Sequence, residues 1–256
     1  MKTIEIAKNN KISVLTLKRP DVRNAFDDAM IAELTQAFHD LKNEESCRVL
    51  ILQGAGESFC AGADLNWMKS MAQFSREDNL EDSRKLQQMF EALAQLPMPV
   101  IGKIHGHAMG GGMGLVALCD VVAAVEGTKF CFSEVRLGIA PAVISPYVAR
   151  KLSRSQMQRW FLTAEIFEAA QAVDMGWAHV YGDRAAVDEF VENTAEKISR
   201  NGPCAVRATK KIINKLFDEG DDIHTQTIQW IADLRVSPEG QEGMQAFFEK
   251  RKPNWI

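Results

Sequence analysis

The sequence predicts an α/β fold with an appended helical region, on three observations. Short apolar runs that suit buried strands alternate with stripes at helical spacing over residues 1–200. Twice such a run passes through a glycine-bearing loop into a helix, once around Ala63 and once around Gly111. Beyond Asn201-Gly202-Pro203, the clearest boundary signal in the chain, the pattern is helical alone. The expected division is 1–200 for the mixed core and 201–256 for a helical end.

In order, Thr3 to Ala7 and Ile12 to Leu17 read as a hairpin around the polar turn Lys8-Asn9-Asn10-Lys11. Arg19-Pro20 ends the second strand, and Asp21 to Asn24 form a polar loop. Met30, Ile31, Leu34, Phe38 and Leu41 recur at helical spacing. Val49 to Leu52 is a buried strand that runs into the loop Gly54 to Leu65. Leu86, Met89, Phe90, Leu93 and Leu96 make a second stripe, stopped by Pro97 and Pro99. Pro99 to Ile104 is the next strand, followed by Gly110, Gly111, Gly112 and Gly114. Leu115 to Leu118 reads as a short buried helix, and Val121 to Val125 as a strand. Helices are expected at Val143–Leu152, Ser155–Leu162 and Phe167–Met175, then a strand at Ala178–Tyr181 and a helix at Arg184–Arg200. The end carries three helices, near Cys204–Leu216, Ile223–Leu234 and Glu239–Lys250.

Composition sets bounds. The 256 residues are 46% hydrophobic, ordinary for a chain that builds a core. With 30 basic and 34 acidic residues the net charge is −4, and no basic block or basic–aromatic interleaving suggests a nucleic-acid partner. The five cysteines (Cys47, Cys60, Cys119, Cys131, Cys204) show no C-x-x-C spacing and no even pairing, so most are expected to be small core residues. No run approaches the roughly 18 apolar residues of a membrane span, and the first residues lack a signal-peptide pattern. A cytoplasmic enzyme or binding protein is the expectation, with no membrane partner.

The glycine block admits three readings. Close backbone packing is the plainest. Gly112, Gly114 and Ala117 also fit G-x-G-x-x-A, a dinucleotide pattern, although the helix is short for such a unit. The third is a site for a carbonyl whose negative charge grows during reaction. Unpaired N–H groups at the start of a helix supply the stabilisation there without a cationic side chain. Glu134 follows and is the sole acid between Gly127 and Glu165.

The loop Ser58-Phe59-Cys60-Ala61-Gly62-Ala63-Asp64-Leu65 and the block Gly106-His107-Ala108-Met109-Gly110-Gly111-Gly112 resemble the two signature loops of the crotonase superfamily, the enoyl-CoA hydratases and isomerases. Arg19-Pro20, Asn24-Ala25, Cys119-Asp120 and the segment Glu242 to Arg251 extend the likeness over nearly the whole chain. Gly62 to Met68 and Ser133 to Pro141 are similar to a narrower bacterial group that includes 3-methylglutaconyl-CoA hydratases.

The resemblance implies a spiral of ββα turns closed by a helical region that packs subunits as a homotrimer or a dimer of trimers. It implies an acyl-CoA substrate, with coenzyme A entering as part of that substrate and no other cofactor or metal. The N–H groups of Ala63 and Gly111 would grip the thioester oxygen, and Glu134 would be the acid/base beside Cα. Phe130, Phe132, Leu137 and Ile139 are candidate apolar walls that would raise its pKa. On the coenzyme A side the candidates are Arg23, Ala61, Asp64, Leu65, Phe247 and Lys250; Asp64 also reads as a helix cap.

One position departs from the pattern. Hydratases place a second glutamate three residues after the oxyanion glycine, and here that residue is Gly114. Hydration, double-bond isomerisation by Glu134 alone, and acyl-CoA binding without catalysis all stay open on this ground, and the narrower likeness favours a hydratase acting on an enoyl-CoA. Ser133, Ser145 and Asn66 are candidate helpers, and room beside Gly114 for a branched or acidic acyl chain is a further expectation. His105 and His107 lack a third ligand nearby and read as structural; Cys119 reads as an inert core thiol.

Overall fold

The structure is a computed structural model that describes residues 1–71, 73–216 and 223–256. The chain opens with the hairpin β1 (Ile4–Asn9) and β2 (Ile12–Leu17), paired from Ile4↔Leu17 to Asn9↔Ile12. The turn is tighter than expected, with Asn10 at φ 50°, a conformation asparagine tolerates. Helix α1 (Asp28–Lys42) follows, capped by Asp27 accepting from Met30 N–H. Next come β3 (Val49–Gly54), α2 (Leu65–Met71) and α3 (Arg76–Ala94). Helix α3 starts ten residues before its apolar stripe, at a capping box of Ser75 and Asp78.

Then come β4 (Val100–Ile104), β5 (His107–Met109), α4 (Gly111–Ala117), β6 (Val121–Val125) and β7 (Lys129–Cys131). The strand leading into the glycine turn is therefore β5, a three-residue strand too short to read from periodicity. The expected helix 143–152 shrinks to α5 (Ser145–Val148), with Pro146 in its first turn, where the missing N–H is tolerated. Helix α6 (Arg154–Thr163) is separate, started by the Ser153 cap. Phe167–Met175 splits into β8 (Phe167–Glu168) and α7 (Ala169–Asp174). Strand β9 (Val180–Gly182) and helix α8 (Arg184–Ser199) follow, then α9 (Pro203–Lys215), α10 (Ile223–Val236) and α11 (Pro238–Phe248).

The large sheet has the order β1-β2-β3-β4-β6-β9, parallel from β2 onward. The small sheet has the order β5-β7-β8. An isolated bridge between Cys60 and Ala108 adds the first glycine loop to the small sheet beside β5. Successive units thus place one strand in each sheet and then a helix, so the strand–loop–helix pattern is a ββα repeat. This stacking brings the loop after β3 next to the loop after β4.

The large sheet is covered on both faces, which is why β3 reads as a continuous apolar run. Val49 and Ile51 pack with Ile101 and Ala123 against Val187, Val191 and Ala195 of α8. Leu50 and Leu52 face the main core, where Phe26, Phe38, Phe90, Phe130, Phe132 and Trp177 are buried. Each such side chain contributes roughly 1.5–3 kcal/mol by leaving water. Four of the five cysteines are buried, and Cys204 is exposed.

Candidate active site

Two loops and one turn build the site. The loop after β3 and the segment around β5 are joined like strands. Phe59 N–H donates to His105 O (2.8 Å), Cys60 N–H to His107 O (3.0 Å), and Met109 N–H to Cys60 O (3.0 Å). Glycine permits this approach: a Cβ on Gly112 would stand 2.7 Å from the Cys60 carbonyl oxygen. Gly110 turns the chain into α4 at φ 49°, ψ −121°, a conformation that side chains resist.

Ala63 and Gly111 carry the exposed ends of this arrangement. Gly111 is the first residue of α4, so its N–H has no partner within the helix. Ala63 pairs with Phe26 as in a parallel ladder: Phe26 N–H donates to Gly62 O (2.7 Å) and Asp64 N–H to Phe26 O (2.8 Å). In that register the Ala63 N–H points away from Phe26. Among the described residues neither Ala63 N–H nor Gly111 N–H meets a backbone acceptor outside its helix.

Glu134 faces this turn from β7. It opens the 3-10 turn Glu134–Leu137, and Gly110 N–H donates to Cys131 O (3.0 Å), which fixes the glycine turn against the end of β7. Glu134 Oε1 lies 3.7 Å from the place a Cβ on Gly110 would take, as does Ser133 Oγ. Its Oε2 is buried and has no hydrogen-bond partner among the described residues. Burial pushes the Glu134 carboxyl above the usual carboxylate range, opposed weakly by its own backbone N–H. Phe130 and Phe132 are fully buried, Phe130 stacked on Phe167 and Phe132 against Phe161 and Trp177. Leu137 and Ile139 correct the expectation: they are 58% and 59% exposed, turned outward by the 3-10 turn and by Gly138 at φ 73°.

The coenzyme A candidates separate into three groups. Arg23 is exposed in a left-handed conformation (φ 53°), and its carbonyl accepts from Ala61 N–H (3.0 Å), so the two lie together beside the site. Leu65, 74% exposed, stands next to them at the start of α2. Asp64 turns inward instead. Its carboxylate accepts from Asn66 N–H (2.8 Å) and Trp67 N–H (3.4 Å) and pairs with Arg19 (2.9 Å). Burial alone would raise its pKa, but these partners hold it below the usual range. Its side chain caps α2 and is not free for a ligand. Phe247 and Lys250 are exposed at the end of α11, which packs chiefly on α9 and α10, apart from the glycine loops.

The family model for enoyl-CoA hydratase/isomerase matches residues 7–256. The chain belongs to the enoyl-CoA hydratase/isomerase family. A crystal structure of an enoyl-CoA hydratase from Shewanella pealeana superposes with a TM-score of 0.95 at 38% identity, covering 99% of this chain and 96% of that one. The mevalonyl-coenzyme A hydratase sidH of Aspergillus fumigatus is 32% identical, over 95% of this chain and 91% of its own. The 2,3-dehydroadipyl-CoA hydratase of Escherichia coli is 29% identical, over 100% and 99%. The fold is therefore the crotonase-like one, and the protein is an enzyme of this family.

Within this enoyl-CoA hydratase/isomerase, the turn after Gly111 is closed. A Cβ on Gly114 would meet Ile144 Cγ2 at 2.6 Å and the Phe90 ring at 2.7 Å. The expected room for an acyl chain beside Gly114 is thus filled by two side chains. The dinucleotide reading fails on the same ground, since Gly112 and Gly114 are buried and offer no surface to a pyrophosphate.

The remaining candidates have structural partners. His105 is 3% exposed with Nε2 against Gly56 O (2.9 Å), and His107 Nδ1 meets Ser58 Oγ (3.1 Å). Burial lowers both imidazole pKa values. Burial pushes the Cys119 thiol up to about 12. Ser145 Oγ donates to Ala142 O (2.8 Å), and Asn66 is exposed; of the candidate helpers, Ser133 alone shares the Gly110 face with Glu134. No group of three or more His, Cys, Asp or Glu among the described residues is placed to hold a metal, and no helix there is long and apolar enough to cross a membrane.

Phe26 and Asn24 escaped the sequence reading as site-builders. Asn24 is fully buried and ties Ala55 O (2.8 Å) and Ser58 O (2.7 Å) to the Arg19 main chain. The available signal was an asparagine in a polar loop just before an apolar residue and a helix cap.

Proposed function

We propose that this enzyme adds water across the double bond of an enoyl-CoA thioester, or removes it in reverse, with Glu134 moving the proton. The observation that carries the reading is a part-buried carboxyl whose Oε2 has no partner, facing the turn that carries the unpaired Gly111 N–H. In the forward direction the water oxygen bonds to Cβ, the double-bond electrons move toward Cα, and negative charge gathers on the thioester oxygen. The N–H groups of Ala63 and Gly111 stabilise that enolate; losing one such donor typically costs on the order of 10²–10³ in rate. Glu134 takes the proton that water releases and returns it to Cα, which closes the balance. A carboxyl with a raised pKa is suited to both transfers near neutral pH.

Arg23, Ala61 and Leu65 then form the lip that receives coenzyme A, with Asp64 acting through its cap on α2. Phe247 and Lys250 would complete that lip from a neighbouring subunit of a trimer or hexamer. The exposed Ile213, Leu216, Ile228 and Ile231 support this assembly, since apolar helical faces of this kind are usually covered. Sedimentation as a monomer with full activity would end the trimer reading. The substrate favoured is a branched or acid-bearing enoyl-CoA such as 3-methylglutaconyl-CoA, in keeping with the names of sidH and the 2,3-dehydroadipyl-CoA hydratase.

A second reading has its own observation. With Phe90 and Ile144 over Gly114, no second carboxylate can stand there, and one carboxyl suffices to shuttle a proton between carbons in an isomerase. A panel of straight, branched and acid-bearing enoyl-CoAs, assayed for both hydration and double-bond migration, separates the two. Water uptake on a branched substrate is expected; migration alone would reverse the assignment. Glu134→Gln should keep coenzyme A affinity while turnover is lost.

A further inference from the structure

Phe26 meets both halves of the oxyanion arrangement at once. Its main chain holds the loop that carries Ala63: its N–H donates to Gly62 O and its carbonyl accepts from Asp64 N–H, one residue on each side of Ala63. Its ring holds Gly111. A Cβ on Gly111 would lie 2.9 Å from Phe26 Cε2 and 3.0 Å from Cδ2, and among the described residues no other group beyond the local main chain comes within 4 Å of that point. The ring is fixed in turn by Phe90, edge-on with centroids 6.4 Å apart and planes at 83°. Phe90 rests on Gly114, one turn further along α4. Helix α4 thus presents two positions without a Cβ on one face, and each receives an aromatic ring.

We propose that Phe26 is a positioning residue that sets the spacing of the Ala63 and Gly111 N–H groups. The inference rests on the reading of those groups as the pair that receives charge. Phe26 is 1% exposed, so it acts through the main chain and not by touching substrate. A rigid gauge matters because the donors act only at hydrogen-bond distance from the developing oxyanion. A displacement of about 1 Å costs on the order of 10² in rate. Gly111 is glycine, on this account, because the ring that gauges it occupies the Cβ position. A smaller side chain at 26 lets α4 and the loop settle at a different distance while coenzyme A still binds at the lip.

The test uses Phe26→Leu and Phe26→Met in the full-length protein, with Phe38→Leu as control. Phe38 is fully buried in the same core on α1 and is not a neighbour of Gly111. Three readouts are needed: Tm, kcat and KM on the fastest substrate of the panel, and the absorption of bound cinnamoyl-CoA. The conjugated thioester band of that probe moves to longer wavelength when its carbonyl oxygen accepts strong hydrogen bonds.

The expected result is a fall in kcat of about 10- to 100-fold for Phe26→Leu with KM within threefold, and a smaller red shift of the probe. Phe26→Met, which refills part of the space, recovers some of both. Phe38→Leu, at a similar loss of Tm, keeps kcat and the shift. A folded Phe26→Leu or Phe26→Met with wild-type kcat and an unchanged shift overturns the role of Phe26 alone. Equal loss of kcat in Phe38→Leu also overturns it, reducing the effect to general destabilisation. A wild-type protein that induces no shift overturns the oxyanion reading and this inference with it.

Discussion

The start of α4 and the turn that follows it have opposite surroundings. At Gly111 the helix start is partly open and its N–H is unpaired, and Glu134 Oε1 lies 3.7 Å from the place a Cβ on Gly110 would take. At Gly112 and Gly114 the same helix is sealed, by the Cys60 carbonyl on one side and by Phe90 and Ile144 on the other. Both turns need glycine, but for different reasons. The open turn needs it for a main-chain conformation and for a ring placed at the Cβ position of Gly111. The sealed turn needs it for close packing. A run of glycines does not define one site. Here the chemistry sits at the first turn and support sits at the second.

The comparison is broken most severely by Gly114→Glu. The new side chain must displace Phe90 and Ile144, and overpacking of this kind costs about 1–3 kcal/mol. An unpaired carboxylate in the core adds several kcal/mol, on the order of 3–5. The expected outcome is insoluble protein or a melting temperature lowered by roughly 10 °C or more. A folded variant with unchanged Tm would mean that the second turn is open after all, and would return the acyl pocket to that position.

Next comes the open turn. Glu134→Ala should leave folding nearly intact, because the carboxyl is partly buried and its Oε2 is unpartnered. Turnover should fall at least about a hundredfold, in line with general acid–base contributions of roughly 10²–10⁴. Steady-state rates on the panel substrate check it, and near-normal turnover would remove Glu134 from the mechanism.

These two residues also show how far the sequence could be read. Glu134 was legible through its match to the acid of the family the chain resembles, in an otherwise acid-free stretch. Gly114 was legible as an oddity but not as a sealed position. Its neighbours Phe90 and Ile144 come from α3 and from the segment before α5, and no periodicity links them to α4. Helix α1 and the second half of α3 followed from stripes of apolar residues. Strands β5, β7 and β8 did not, since two or three residues show no period. Without β5 and β7 the pairing that brings the two glycine loops together was invisible. The likeness to a family supplied what the local pattern lacked. Leu137 and Ile139 failed as walls because their facing depends on a left-handed Gly138, which hydropathy does not reveal.

A milder change probes the other loop. Asp64→Ala removes the cap of α2 and one of two carboxylates beside Arg19, whose second partner is Asp27 (2.8 Å). Loss of a cap costs typically about 1 kcal/mol. The expected result is a Tm lower by a few degrees with kcat reduced much less than in Glu134→Ala. A collapse of kcat equal to that of Glu134→Ala would give Asp64 a part in the chemistry.

The smallest effect is a stability difference that depends on pH. Burial raises the folded-state pKa of Glu134 above its unfolded value. The folded state therefore holds this proton more tightly than the unfolded state does. That contribution is fully present below the unfolded pKa and is lost as pH rises through the raised folded value. Above that point the wild type carries a carboxylate in a poorly solvated place with an unpartnered oxygen. Glutamine keeps the size and stays neutral at every pH. Glu134→Gln should thus melt with the wild type near pH 4 and melt higher than the wild type at pH 8, while its turnover is lost. The two melting curves taken across that range, by circular dichroism at fixed ionic strength, decide the matter. If the gap does not open with pH, the carboxyl is solvated in the folded protein, and its suitability for proton transfer near neutrality must come from the bound substrate instead. Proton transfer by a residue whose ionised form costs the empty protein stability is the trade expected at an open turn.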